Sequence, residues 1–273
     1  MRGATLIVLI SLSIAAGRAA FERQPFGALS SGMAGAGAAL SGDIGMLWAN
    51  PAAAALIPER SLAFSHSPSP FGVSELSRTG FLFAEPVSRG GFAIGGTAFG
   101  FGLYRELSIG FTFGGVFADG LMGGCTATYY RLQIAGYGRA AAAGLDLGLQ
   151  WIPANGLSLG VSASNLTAPA IGSSRETLPQ TLTAAVAFRP GGDIVLLLDL
   201  VKDIYYPLEA RFGIDYRPIE LLALRAGTSR EPSVSSAGFG LMITPVVIDY
   251  AFTCHGELGF VHHLSLTFRL GGV

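Results

Sequence analysis

Between Leu208 and Arg217 the chain reads LEARFGIDYR, and its side chains alternate without a break. Leu208, Ala210, Phe212, Ile214 and Tyr216 are apolar, whereas Glu209, Arg211, Gly213, Asp215 and Arg217 are charged or glycine. A strand sends successive side chains to opposite faces, so this segment has one oily face and one ionic face. A soluble sandwich would turn the ionic face to water and the oily face to a core. A membrane barrel does the reverse: the oily face meets lipid and the ionic face lines the lumen.

Composition selects the barrel. Apolar residues make up 50% of the 273 residues and charged residues only 13%, about half the soluble average. So few charges would struggle to cover a soluble domain of this size. No internal run reaches the roughly 20 apolar residues of a membrane helix. Short hydrophobic segments with 39 glycines therefore predict an all-β transmembrane antiparallel barrel. A net charge of −1 implies no nucleic-acid partner. Cys125 and Cys254 have no metal-ligand spacing and read as small wall residues, with a disulfide as the alternative.

Three regions follow. Residues 1–19 read as a signal peptide, with Arg2, an apolar run over Ala4–Ala16, and small residues at Gly17 and Ala19 around the cleavage point. Residues 20–58 are rich in small residues and lack period-two alternation. There Asn50-Pro51 precedes an alanine run, which predicts a short helix capped by Asn and begun by Pro. This segment is too small to fold alone and should pack as a plug or collar against the barrel, residues 59–273.

From Arg60 onward about fourteen strand-like segments can be counted, near 60–66, 78–85, 91–99, 105–115, 121–133, 139–151, 156–164, 180–189, 192–201, 206–217, 220–229, 234–243, 246–253 and 260–270. Every second connection is tight and carries Gly, Pro or Asn, as in Ser88-Arg89-Gly90, Ala118-Asp119-Gly120 and Thr244-Pro245. The connections between them are looser, notably 67–77 and 165–179. Short turns at one rim and longer loops at the other are the pattern of bacterial outer-membrane barrels, with the short set in the periplasm. An even strand count then places both termini in the periplasm of a Gram-negative-type cell, with outer-membrane lipid around the wall.

Phase assigns the charges. An Arg or Lys facing lipid at mid-bilayer would cost roughly 2–4 kcal/mol. Asp146, Asp199, Glu209, Arg211, Asp215, Arg225, Asp249 and Arg269 all fall opposite the oily positions, hence in the lumen. They read as a structural network bracing the wall and holding the N-terminal segment, or as a polar gate along a path. In the N-terminal half the inward positions are mostly Gly, Ala, Ser and Thr, which leaves room for the N-terminal segment or a ligand.

The start of the mature chain resembles a known signature. Gly32-Met33-Ala34-Gly35-Ala36-Gly37, followed by Asp43, Trp48 and Asn50-Pro51-Ala52, is similar to the N-terminus of FadL-like and PorV/PorQ-like outer-membrane barrels. The stretch from Gly256 to Phe268 resembles their closing loop and last strand. Ala49 separates Trp48 from Asn50, and the chain is short, which implies reduced outer loops. The FadL-like resemblance implies passive transport or binding of hydrophobic small molecules, with a hatch and path around Gly32, Gly35, Gly37, Asp43, Trp48, Asn50 and Pro51. The PorV/PorQ-like resemblance implies an accessory of type IX protein secretion, with secretion-system subunits as partners.

Other chemistry has weaker footing. The closely spaced glycines follow a leader rather than a strand, so they do not make a dinucleotide fingerprint. His66, His255, His262 and His263 do not converge as a metal site requires. Ser265, His263 and Asp249 could be imagined as a triad, but triads are defined by geometry. The expectation is a non-enzymatic barrel with no catalytic residues, metal or cofactor.

Overall fold

The computed structural model describes residues 20–172 and 175–271. The leader expected over residues 1–19 lies outside the described residues.

The strands fall almost where the alternation places them. They are β1 (Ser61–Ser67), β2 (Arg78–Val87), β3 (Gly90–Gly100), β4 (Tyr104–Ala118), β5 (Leu121–Ile134), β6 (Gly138–Ala154) and β7 (Leu157–Ser164). A two-residue hairpin follows, β8 (Ala170–Ile171) and β9 (Glu176–Thr177). Then come β10 (Thr181–Gly191), β11 (Ile194–Asp203), β12 (Leu208–Ile219), β13 (Leu222–Arg230), β14 (Val234–Ile243), β15 (Val246–His255) and β16 (Gly259–Arg269). Among the described residues, all of these except the hairpin close into one antiparallel barrel of fourteen strands. The seam is β1 on β16, with Ser61 opposite Arg269 and Leu62 opposite Phe268. Closure leaves no free sheet edge, which is what a spanning sheet requires.

The oily face is outside. On β12, Leu208, Phe212, Ile214 and Tyr216 are exposed, while Gly213 and Asp215 are buried. On β4, Ile109, Phe111 and Phe113 are exposed and Ser108 and Thr112 buried. Cys125 and Cys254 are both free, on β5 and β15, so the disulfide alternative is excluded.

Tight connections all lie at one end of the barrel, hereafter the turn end, and the looser ones at the loop end. Most of the loops there are only three or four residues long. The longest, between β7 and β10, folds inward: Ile171 and Leu178 are buried against Tyr130, Leu132, Ala140 and Ala142, with Phe21 beside them. Strand β6 outruns β7, whose pairing begins at Leu147–Ala163. Beyond that point the N–H of Leu166 donates to the carbonyl of Leu145 at 2.8 Å.

Residues 20–58 run through the lumen. They form a short helix α1 (Gly27–Ser31) and two 3₁₀ turns, Ile44–Trp48 and Pro51–Leu56. The helix expected at Asn50-Pro51 is the second of these: Asn50 Oδ1 accepts the N–H of Ala52 at 3.0 Å, and Pro51 holds the first position. Asp43 caps the first turn, accepting the N–H of Gly45 at 2.8 Å. The apolar core therefore lies inside the barrel. Phe26, Met33, Met46 and Leu47 pack there against inward Leu82, Ala84, Ala185 and Leu197.

Candidate functional site

The alanine-rich turn Pro51–Leu56 lies against β3 to β6, where the inward residues at its level are small: Gly91, Gly114, Gly124 and Gly148. Gly148 shows why they must be. A Cβ there would stand 2.0 Å from Asn50 Oδ1, inside any allowed contact. On the opposite wall a Cβ at Gly227 would stand 2.3 Å from the backbone of Met33. Glycine thus lets segment backbone and wall backbone touch on both sides.

Polar groups fix the segment in register. Asp199 is 1% exposed, and its Oδ2 accepts the N–H groups of Gly37 and Ala38 at 3.0 and 2.9 Å. Its Oδ1 has no hydrogen-bond partner. Asn50 is fully buried and donates to the carbonyls of Ala38 and Leu149 at 2.7 and 3.1 Å. Gln150 donates to the carbonyl of Ala39 at 2.7 Å. Ser236 accepts the N–H of Ala34 at 2.8 Å and donates to the carbonyl of Gly32 at 3.0 Å. Buried backbone groups of an irregular segment need partners, and the inward side chains supply them.

The expected lumen charges other than Asp199 separate into four groups rather than one network. Arg225 bridges Asp215 and Asp249, donating at 3.1 and 2.6 Å, and all three are buried. Arg211 is held by Glu209 at 2.7 Å and reaches the carbonyl of Gly35 at 3.5 Å. Asp146 takes Arg23 at 2.7 Å and the N–H of Asn165 at 2.8 Å, while Arg23 also donates to the carbonyl of Trp48. Arg269 departs from the expectation. It sits at the turn-end rim, 37% exposed, 3.7 Å from Glu59. Its position in the last pair of the β1–β16 ladder puts it beyond the enclosed lumen, although its phase is inward.

The signature residues lie within one connected region. Gly35 and Gly37 have φ of +80° and +145°, which favour glycine, and a Cβ at Gly37 would meet Met46 Sδ at 2.7 Å. Gly32 has an ordinary helical φ; a Cβ there would lie 3.2 Å from the carbonyl oxygen of Ala28 and 3.4 Å from the Cβ atoms of Ala251 and Arg225. Trp48 stacks at a tilt on Phe26, ring centroids 6.0 Å apart.

Ser265 and Asp249 are cross-strand partners, but they and His263 make no hydrogen bonds to one another. Ser265 Oγ accepts the N–H of Ala28, His263 contacts Ser67 and Thr253, and Asp249 holds Arg225. The other histidines scatter: His66 meets Thr79, His255 meets its own turn, and His262 meets Tyr250 outside.

The site that alternation did not single out is a cavity of about 710 Å³ at the loop end. Its floor is the N-terminal segment from Glu22 to Gly35, and its walls are the loop ends of β1 to β4 and of β12 to β16. Phe71, Phe99, Phe101, Leu258 and Leu264 give it apolar surface, and Arg78 lies over the Phe99 ring at 5.2 Å. A smaller void of about 60 Å³ lies deeper, beside Phe26, Trp48 and Asp199, and shares Arg23, Pro25, Gly35 and Arg211 with the larger one. The inward phase of Phe99 and Val261 was readable; their meeting across the barrel mouth was not.

No protein-family model and no curated protein matches the chain by sequence. Solved structures do match by shape. The Pseudomonas putida toluene transporter TodX superposes with a TM-score of 0.66 at 12% identity, covering 92% of this chain and 100% of that one. A Pseudomonas aeruginosa FadL homologue gives 0.62 at 12% identity, covering 89% and 98%. The Acinetobacter baumannii outer membrane protein Omp33 gives 0.52 at 10% identity, covering 78% and 98%. With its closed barrel of fourteen strands, the chain has the fold of a FadL-like outer-membrane β-barrel.

Proposed function

We propose that this barrel passes hydrophobic small molecules across an outer membrane, with residues 20–58 as the hatch. The observation that carries the reading is the loop-end cavity, which is large enough for a small ligand and floored by the segment that fills the lumen. The loop end faces the cell exterior and the turn end, with both chain termini, faces the periplasm. A solute enters among the aromatic side chains at the mouth. It passes inward when the stretch from Glu22 to Gly35 shifts away from Arg211 and the wall. The deeper void beside Trp48 marks where space already exists below that floor. Asp199 and Asn50 hold the remainder of the segment in place, whereas the bonds of Ser236 to Gly32 and Ala34 must break.

The likeness to a toluene transporter supports this reading. The secretion-accessory alternative gains nothing from the solved structures named above, and the short loops offer it little docking surface.

A reversible cross-link tests the hatch. Cysteines at Gly32 and Ala251 would place their Cβ atoms 3.4 Å apart, close to disulfide geometry. In a background with Cys125 and Cys254 replaced by Ser, the oxidised G32C/A251C barrel should lose uptake of a small aromatic hydrocarbon into liposomes. Reduction should restore it. Equal uptake in both states would show that the segment need not move.

A further inference from the structure

Three arginines stand together on the lipid-facing surface at the loop end, and the activity proposed above does not use them. Arg105 on β4 and Arg139 on β6 flank Gln133 of β5 in the same cross-strand row. Arg131 lies one outward row below, opposite Leu107 and Ala141. All share the phase of the exposed Ile109, Phe111, Tyr129 and Leu147, and the opposite phase from buried Glu106 and Asp146. Among the described residues, none of the three arginine side chains has an ion pair or hydrogen bond, and no carboxylate faces outward on β4, β5 or β6.

Depth identifies the environment. From Arg131 down β5 to Leu121, which pairs with Trp151, there are ten residues. At about 3.3 Å per residue this is roughly 33 Å along the strand. At a tilt near 40° it is about 25 Å along the axis, the height of a barrel's apolar band. Trp151 then sits at one interface as an aromatic anchor, and the arginines sit at the other, level with lipid headgroups. Below them the surface is shallow at Ala127, Ala141 and Ala143 and bounded by Tyr129.

We propose that Arg105, Arg131 and Arg139 form a binding site for the phosphates of a phosphorylated glycolipid of the outer leaflet, with acyl chains lying over the alanine surface beneath. A guanidinium offers a planar fork of donors that matches phosphate, and three on adjacent strands supply a cluster that one zwitterionic headgroup would not need. Unpaired cations grouped without a counter-charge repel one another, and a bound polyanion removes that cost. This assignment to the outer leaflet rests on the orientation proposed above.

The test uses the full barrel in mild detergent, titrated with bisphosphorylated lipid A, dephosphorylated lipid A or phosphatidylglycerol and read by native mass spectrometry. Bisphosphorylated lipid A should bind about tenfold tighter than either other lipid, and R105Q/R131Q/R139Q should abolish that preference. The single variant R139Q, at the exposed strand end, should weaken it severalfold and guards against misfolding of the triple variant. Undiminished preference in both variants, or equal binding of phosphatidylglycerol, would overturn the site. Orientation is read separately by labelling a Y137C variant, free of its other cysteines, on intact cells. Labelling only after the outer membrane is opened would overturn the outer-leaflet assignment, whatever the lipid titration gives.

Discussion

The carboxylate of Asp199 accepts the backbone N–H of Ala38 at 2.9 Å, joining the middle of the lumen segment to β11. The same oxygen also takes the N–H of Gly37 at 3.0 Å. Two charge-assisted bonds from one buried side chain make this a principal tether of residues 20–58.

Removing that tether should loosen the segment and leave the wall intact. A hydrogen bond to a charged group contributes about 1.5–3 kcal/mol. Asp199→Ala should therefore raise local opening of the segment by about tenfold or more, seen as faster hydrogen exchange over residues 34–40. The heat-modifiable gel shift of the barrel should stay at its usual temperature. Unchanged exchange would mean that Asn50 and Gln150 hold the segment without it.

The Asp215–Arg225–Asp249 group predicts a different outcome. Breaking a buried ion pair leaves uncompensated charge and costs about 3–5 kcal/mol. Arg225→Met should lower the unfolding temperature of the barrel markedly or block its assembly. D215N/R225M/D249N, which removes all three charges, should recover most of the loss. If the triple variant were no more stable than the single one, the group's contribution would be packing rather than charge.

Close approach at Gly148 can be tested with one methyl group. A Cβ there meets Asn50 Oδ1 at 2.0 Å, so Gly148→Ala should displace the turn Pro51–Leu56. Protease cleavage within residues 40–58 should accelerate severalfold. Gly191→Ala, where an added Cβ meets no atom within 4 Å, should leave cleavage unchanged. Matching rates in the two variants would place the fit of segment to wall elsewhere.

Filling the mouth should slow passage without unfolding anything. Val261 is an inward, 8% exposed wall residue of the loop-end cavity. Val261→Trp should reduce liposome uptake of a hydrophobic solute severalfold, whereas Val161→Trp on the lipid face should not. Equal uptake by both would move the path away from this cavity.

Period-two alternation determined the barrel because a one-residue slip in β12 or β11 would have put Asp215 or Asp199 into lipid. That constraint made about fourteen strands, the inward faces of the C-terminal half and the parity of the turns readable along the chain, while residues 121–133 fitted either phase. The motif around Asn50-Pro51 likewise announced its own cap. Local signals reach no further, and only the tertiary structure decided which inward residues meet. Asp199 lies more than 160 residues from Gly37, and Gly148 nearly 100 from Asn50, so their contacts exist only after the barrel closes around the segment. Closure also split the lumen charges. Arg269 shares the inward phase of Arg225, but its height along the strand puts one at the rim and the other in the core. Phase is a property of a single strand, whereas height, neighbours and the empty volume at the mouth are properties of the closed sheet.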